Sequence, residues 1–421
     1  MNVGGKIYRR KLEGKIEKFL KRREMIGIKG ARQVGKTTLM KIIYDRIDNA
    51  KAFINLDLLD MRRTLEENPL DLVRRYKEEG KKLYLFLDEI QRVESAGEKL
   101  KVIYDEYPDV KIIFSGSSSL ELKTNILPFL VGRAFIFELF PFDFEEFLQA
   151  RDQGLAKVFL EKKRSFEKAL EGKDEPEQPS FENEFLNLLD EYLVYGGYPE
   201  VIKTKDRETK KMILKNIASL YIEKDIITFF GIRDTSKFED LLKMLAFRIG
   251  SILSISSFSS ALKTGFKKIE DYIEILRHSY IIHLIRPFYQ NLVTELRKSK
   301  KFYFLDLGLR NSLIDNFLPI GNRSDAGNLL ENFVFRELLT LEDTDIRYWR
   351  TTGKAEIDFV LRRRDKIIPI EVKLSPEKPG KGFHSFINTY QPENAFIITL
   401  KDFHRERINS CDLFYIPAYM I

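Results

Sequence analysis

Residues Gly30-Ala31-Arg32-Gln33-Val34-Gly35-Lys36-Thr37 follow the spacing G-x-x-x-x-G-K-[ST], with Thr38 directly after. Glycines at this spacing let backbone N–H groups curl around phosphate oxygens, and a helix starting there adds the positive end of its dipole. In such a loop the Lys36 ammonium reaches the β- and γ-phosphates of a nucleotide, and the Thr37 hydroxyl ligates Mg²⁺. A glycine turn that merely opens a helix is the bland alternative. The context disfavours it, because the apolar run Met25–Lys29 precedes the loop and a helical pattern follows from Thr38. The expected ligands are ATP, held by residues 30–38, and Mg²⁺.

The apolar run Leu83-Tyr84-Leu85-Phe86-Leu87 ends in Asp88-Glu89. A continuous apolar run marks a strand buried on both faces, and two carboxylates at its tip need a cation nearby. Asp88 is placed to hold the Mg²⁺ shell and Glu89 to act as general base on the attacking water. The run Ile112-Ile113-Phe114 ends in Ser115-Gly116-Ser117-Ser118-Ser119. Ser115 and Ser117 are candidates to contact a γ-phosphate; helix capping by Ser118 or Ser119 is an equal alternative. Arg133, after Gly132, is a candidate γ-phosphate contact in cis or across subunits.

A second set of carboxylates lies near the end of the chain. Glu371-Val372-Lys373 closes the run Ile367-Ile368-Pro369-Ile370, and period-two alternation puts Glu371 and Lys373 on one face. Glu356 and Asp358 share a face of an earlier strand, and Glu331 lies on the helix before both. Carboxylates with a lysine in this order can bind a divalent metal through Glu331, Asp358 and Glu371, activate water and stabilise a pentacoordinate phosphate. The alternative is a solvated face with a Glu–Lys cross-strand pair, worth about a few tenths of a kcal/mol.

The elements that must position these groups follow from the pattern. Short apolar strands at Met25–Lys29, Ala52–Leu56, Leu83–Leu87, Lys111–Phe114 and Phe135–Glu138 alternate with helical segments, which predicts a parallel sheet. Residues 142–235 read as helical, broken by the charged loop Gly172–Pro179 and a turn at Gly196-Gly197-Tyr198-Pro199. Residues 236–325 read as three helices followed by β-like runs, the order of a winged helix. Lys and Arg number 12 and Asp and Glu 6 between residues 236 and 301, against 59 and 58 in the rest of the chain. The basic excess is thus local, around Lys263, Lys267, Lys268 and Arg277, and it makes double-stranded DNA the expected macromolecular partner. Residues 326–421 read as a small α/β domain. The expected divisions are 1–141, 142–235, 236–325 and 326–421.

Composition narrows the class. The chain has 421 residues, with 43% hydrophobic, 12% aromatic and a net charge of +7. That is ample material for packed cores. One cysteine, Cys411, excludes an internal disulfide framework and a multi-thiolate metal site. The longest apolar stretch, Ile126–Phe142, is interrupted by Arg133 and Glu138 and is too short to span a bilayer. No secretory leader is legible in the first 23 residues. The expectation is a soluble cytoplasmic protein without a membrane partner, with assembly into oligomers left open.

Taken in order, these motifs resemble those of predicted bacterial and archaeal P-loop ATPases of the AAA-like group that carry a C-terminal domain like PD-(D/E)xK restriction endonucleases. The resemblance rests on Gly30–Thr37, Leu87-Asp88-Glu89-Ile90-Gln91, Ser115–Ser119, Gly132-Arg133, Leu139–Phe147 and Gly196-Gly197-Tyr198-Pro199. It continues through Tyr303–Leu309, Glu331-Asn332-Phe333-Val334, Trp349-Arg350, Glu356–Phe359 and Ile370–Lys373. It implies an α/β architecture: an additional-strand, AAA-like P-loop NTPase core, a helical lid, a winged-helix module and a restriction-endonuclease-like domain. It further implies ATP and Mg²⁺ at Lys36, Thr37, Asp88 and Glu89, and places Glu331, Asp358, Glu371 and Lys373 at nuclease motif positions. The implied function is a Mg²⁺-dependent, DNA-directed ATPase with a metal-dependent nuclease domain. The alternative is a nucleotide-switch ATPase whose C-terminal domain only docks a partner.

Overall fold

The structure is a computed structural model that describes residues 8–117, 126–220, 231–232, 234–289, 295, 298–351, 353 and 355–421. The chain divides into two compact units, Met1–Pro141 with His278–Ile281, and Phe142–Arg277 with Ile282–Ile421.

The first unit is an α/β layer structure. It runs α1 (Lys11–Glu17), β1 (Met25–Lys29), α2 (Lys36–Asp45), β2 (Ala50–Asn55), α3 (Leu59–Glu67), α4 (Pro69–Tyr76), β3 (Leu83–Asp88), α5 (Ala96–Glu106), β4 (Val110–Gly116) and β5 (Ala134–Glu138). The sheet order is β2-β3-β4-β1-β5, with every neighbouring pair parallel. β3 and β4 are buried along their whole length. Their near-continuous apolar runs are what a strand covered by helices on both faces requires. All five strands expected from the sequence are present, with ends displaced by up to two residues. In this register the tips of β1, β3 and β4 share one edge: Lys29 pairs with Gly116, and Leu87 with Phe114. Ligands of open parallel sheets bind at that carboxyl-terminal edge.

The second unit opens with helices α6 (Phe144–Arg151), α7 (Gln153–Leu170), α8 (Glu182–Tyr195), α9 (Pro199–Lys203) and α10 (Arg207–Leu220). The turn between α8 and α9 is clamped by Asp306, whose carboxylate accepts the N–H of Gly197 and of Leu309, each at 2.7 Å. Side chains would not fit here. A Cβ on Gly197 would lie 2.1 Å from the Phe142 carbonyl oxygen, and one on Gly308 would lie 2.1 Å from that of Tyr195. The Gly196-Gly197 and Asp306-Leu307-Gly308 motifs are therefore two halves of one packing contact. Burial pushes the Asp306 carboxyl up to about 6, against the pull of the N–H donors.

Next come α11 (Thr235–Phe247), α12 (Ile255–Leu262), α13 (Phe266–His278) and the antiparallel pair β6 (Ile282–Pro287) and β7 (Lys301–Phe304), with Ile252 bridging to Lys301. α14 (Leu307–Leu313) and α15 (Ala326–Leu338) lead to β8 (Thr344–Arg350), β9 (Glu356–Arg363), β10 (Lys366–Val372), α16 (Lys381–Tyr390), β11 (Asn394–Thr399), β12 (His404–Ile408) and β13 (Cys411–Pro417). The strands form one sheet in the order β12-β13-β11-β10-β9-β8-β6-β7. The β6–β7 pair thus continues the C-terminal sheet through β8, across the division expected at 325/326. β12 and β13 add a closing hairpin that the sequence reading did not anticipate. β12 is a charged, exposed edge strand, His-Arg-Glu-Arg-Ile, with no apolar alternation to reveal it.

Around α14 the fully buried Arg310 donates to Asp325, which also receives two bonds from Arg323. Burial alone would raise the Asp325 carboxyl, but the two guanidiniums outweigh it and hold it at about 2. A carboxylate depressed in the folded state contributes stability that is complete above its unfolded value and lost as pH falls. Asp325→Asn should cost about 2–4 kcal/mol at pH 7. The gap to wild type should narrow by about 1 kcal/mol at pH 3. Denaturant melts across that range test this, and a pH-independent gap would contradict it.

Candidate functional site

The nucleotide-type loop sits between β1 and α2. Gly30 packs so tightly that an added Cβ would fall 2.1 Å from the Leu139 carbonyl oxygen. Gly35 caps α2 at φ 97°, a left-handed conformation that favours glycine. Arg10, on the lead-in before α1, donates to the Val34 carbonyl at 2.8 Å and to that of Phe140 at 2.7 Å, bracing the loop from behind. The Lys36 ammonium bonds the carbonyls of Gly30 at 3.0 Å and Ala31 at 2.8 Å. Ala31 and Val34 are buried; Gln33 and Thr38 are exposed, and Arg32 is half-buried.

The acidic strand meets this loop directly. Thr37 Oγ1 donates to Asp88 Oδ2 at 2.7 Å. Ser115, fully buried at the end of β4, donates to Asp88 Oδ1 and accepts the Glu89 N–H at 3.1 Å. Both oxygens of Asp88 are therefore bonded by neutral hydroxyls, which orient the carboxylate without cancelling its charge. An oxygen donor set of one hydroxyl and one ionised carboxylate, leaving room for phosphate and water, is what Mg²⁺ takes. The residues present fit that ion.

Glu89 turns away from the strand at φ 60°. Its Oε2 accepts from Ser117 Oγ at 3.0 Å and from Gln91, and Gln91 also donates to Ser117 at 2.8 Å. Gln91 lay in a quoted motif without a role, and its amide is the functional group the sequence reading missed here. The geometry reassigns Ser115: its one hydroxyl proton is spent on Asp88, so it supports that carboxylate and is not placed to donate to a phosphate. Ser117 is the remaining serine candidate, and Ser118 and Ser119 lie outside the described residues.

Arg133 requires a correction. Its carbonyl accepts from Met25 N–H, and Ala134 pairs with Met25, so it stands at the amino-terminal edge of the sheet. The loop leaves from the other end of β1, about 16 Å away for five residues of strand. The Arg133 guanidinium pairs with Asp105 at 3.2 Å beside the Tyr104 ring. A contact with its own loop in cis is excluded by this placement; a contact across subunits is the form of the expectation that survives.

The C-terminal positions come together around a residue the sequence reading did not name. Lys301, at the start of β7, has a side chain only 3% exposed. Its ammonium lies 2.7 Å from Glu356, 3.1 Å from Glu331 and 3.6 Å from Asp358. Tyr303 donates to the same Glu331 oxygen at 2.6 Å, and Asp358 Oδ2 accepts the Val372 N–H at 2.9 Å. Glu371 instead pairs with Lys373 at 2.9 Å. Burial raises the Glu331 carboxyl to about 7, because one ammonium shared among three carboxylates does not offset the loss of solvent. Burial alone would lower the Lys301 ammonium, but the three acids together outweigh it and raise it. Among the described residues no group of three or more His, Cys, Asp or Glu side chains is placed to hold a metal ion. A lysine opening an apolar strand carries no sequence signal of such a role.

Of the four cations singled out in the basic segment, Lys267, Lys268 and Arg277 are in ion pairs. Lys267 bonds Asp271 at 3.0 Å, Lys268 bonds Asp234 at 3.3 Å, and Arg277 bonds Glu274 at 2.6 Å. No described helix is long and apolar enough to cross a membrane.

With the loop, the acidic strand tip and the parallel sheet in place, one family model covers most of the first unit. Residues 22–148 match the AAA domain. This part of the chain is an AAA-like P-loop ATPase domain. Residues 186–320 and 326–419 match two domains of unknown function, DUF8612 and DUF4143. The chain is 23% identical to an uncharacterized protein of Haemophilus influenzae over 81% of this chain and 78% of that one. It is 27% identical to the uncharacterized protein MJ1544 of Methanocaldococcus jannaschii over 78% of this chain and 71% of that one. The Walker-type ATPase PABY2304 of Pyrococcus abyssi aligns at 16% identity and a TM-score of 0.47, covering 73% of this chain and 96% of that one, a likeness too partial to bear on function.

Ser115→Ala removes a donor from Asp88 and the acceptor of the Glu89 N–H. It should cost about 1–3 kcal/mol of stability in the first unit. A denaturant melt of the full chain measures this; a midpoint and slope unchanged from wild type would contradict the support role.

Proposed function

We propose that this chain binds and hydrolyses ATP with Mg²⁺ at the loop of residues 30–38, in the service of a DNA-directed activity. The observation that carries this reading is the 2.7 Å bond from Thr37 to Asp88, which joins the loop and the acidic strand into one oxygen site.

The roles follow from the geometry. Backbone N–H groups of 30–37 and the start of α2 would hold the phosphates. Lys36 would leave the Gly30 and Ala31 carbonyls for the nucleotide's β- and γ-oxygens, where developing negative charge makes its ammonium worth most. Thr37 and Asp88 would hold Mg²⁺, which neutralises phosphate charge when bound. Glu89 would take a proton from water; Ser117 and Gln91 hold its carboxylate, so turnover would require that carboxylate to be handed from them to water.

The DNA part rests on the helix, bridge, two-helix and hairpin order of α11 to β7, which follows the winged-helix pattern, and on the local basic excess. Its ion pairs leave fewer cations for phosphates than the sequence count implied. The C-terminal β8–β9–β10 meander, with Glu331 on the preceding helix and Asp358 and Glu371 on adjacent strands, supports a restriction-endonuclease-like frame. The restraint on Glu89 favours one element of the alternative reading, a slow nucleotide switch.

Glu89→Gln should keep ATP affinity within about threefold and lower turnover about 10²-fold or more. Hydrolysis at the wild-type rate in this variant would remove Glu89 as the base. Binding to double-stranded DNA should weaken steeply between about 50 and 200 mM salt through counterion release. Binding that is absent, or indifferent to salt, would remove the DNA assignment and leave the ATPase reading standing.

A further inference from the structure

The carboxylates that would hold a nuclease metal in the C-terminal domain already have a cation. We propose that Lys301 is the resident counter-ion of this cluster: its ammonium stands where a divalent ion bridging Glu331 and Asp358 would stand, so the domain keeps a nuclease-like frame without holding a metal there. The inference rests on the restriction-endonuclease-like reading of this domain.

The oxygens can be accounted for one by one. Glu331 Oε1 accepts from both Lys301 and Tyr303. Gly250 runs beside Glu331 Oε2, so that a Cβ added there would lie 3.1 Å from it. Asp358 Oδ2 is taken by the Val372 N–H, and Oδ1 faces Lys301. Glu371 Oε1 is paired with Lys373, and Glu371 Oε2 is buried without a hydrogen-bond partner. Mg²⁺ or Mn²⁺ needs several oxygen ligands at once, and the position between Glu331 and Asp358 that would join them is the one the Lys301 ammonium takes.

The placement of Lys301 is structural rather than incidental. It comes from β7, outside the β8–β10 meander that carries Glu356, Asp358 and Glu371. Its backbone is fixed by pairing with Ile285 and by the bridge to Ile252. Its side chain is almost wholly enclosed, so it is not a surface lysine drifting over an acidic patch. An ammonium so enclosed could leave only by uncovering charge on both sides of the contact. The cluster therefore ties the β6–β7 pair to the C-terminal domain electrostatically, as the β6–β8 pairing ties it through the backbone.

The test is Mn²⁺ alone, added to the nucleotide-free full chain, with the melting temperature as readout. Wild type should shift by less than about 1 °C. Lys301→Ala should melt lower and regain about 2 °C or more with Mn²⁺, and this gain should vanish when Asp358→Asn is added. Lys301→Gln, which keeps the length and a donor, replaces Lys301→Ala if that variant does not fold. Stabilisation of wild type by Mn²⁺ that Asp358→Asn abolishes would overturn the proposal while keeping the domain as a metal site. A folded Lys301 variant indifferent to Mn²⁺ would overturn the claim that the ammonium stands in a metal's place and leave the reading of the β8–β10 frame untouched.

Discussion

A carboxylate withdrawn from water must be met by positive charge or remain costly. This chain solves that problem in two opposite ways, and the difference separates its two candidate sites. Asp88 is oriented by two hydroxyls, Thr37 and Ser115, which fix its direction and leave its charge uncancelled. Glu331, Glu356 and Asp358 converge on Lys301, which supplies the charge from within. The first arrangement orients a carboxylate with neutral donors alone; the second pairs its carboxylates with a cation of the chain itself.

In the first unit the sheet order brings together the groups that orient Asp88. β1, β3 and β4 must be neighbours and parallel for Thr37, Asp88 and Ser115 to meet at one edge, and the order β2-β3-β4-β1-β5 makes them so. Register matters here, because a slip of one residue would turn Asp88 to the opposite face, away from Thr37 and Ser115. Glu89, the next residue, is bent out of the strand direction and restrained by Gln91 and Ser117. Asp88 is thus held at both oxygens while Glu89 is held through one, by Ser117 and Gln91. The second unit uses the same economy elsewhere: Asp306 joins two glycine-bearing motifs that are far apart in sequence into a single contact.

The sequence made the first site legible because its chemistry depends on short local spacings. The Gly30–Thr37 loop and the run ending in Asp88 specify their own strand and turn, and the structure places them as that pattern requires. What escaped was everything that depends on pairing between distant segments. Lys301 looks like any lysine flanking an apolar strand, and only the sheet that carries β7 past β8 brings it to Glu331. Arg133 read as a phosphate contact because it follows a glycine near the loop's partner strand, yet the parallel direction of β5 puts it at the opposite edge. Ser115 read as a phosphate sensor, and its proton belongs to Asp88. The β12–β13 hairpin was invisible because its outer strand is charged throughout.

The account stands most directly on one measurement: Mg²⁺-dependent ATP turnover by the full chain, with and without double-stranded DNA, against Lys36→Ala as the blank. Turnover that disappears in Lys36→Ala and rises with DNA is the predicted result. Turnover that survives in Lys36→Ala would contradict the assignment of the loop as the site of hydrolysis, and turnover unchanged by DNA would contradict its direction toward DNA.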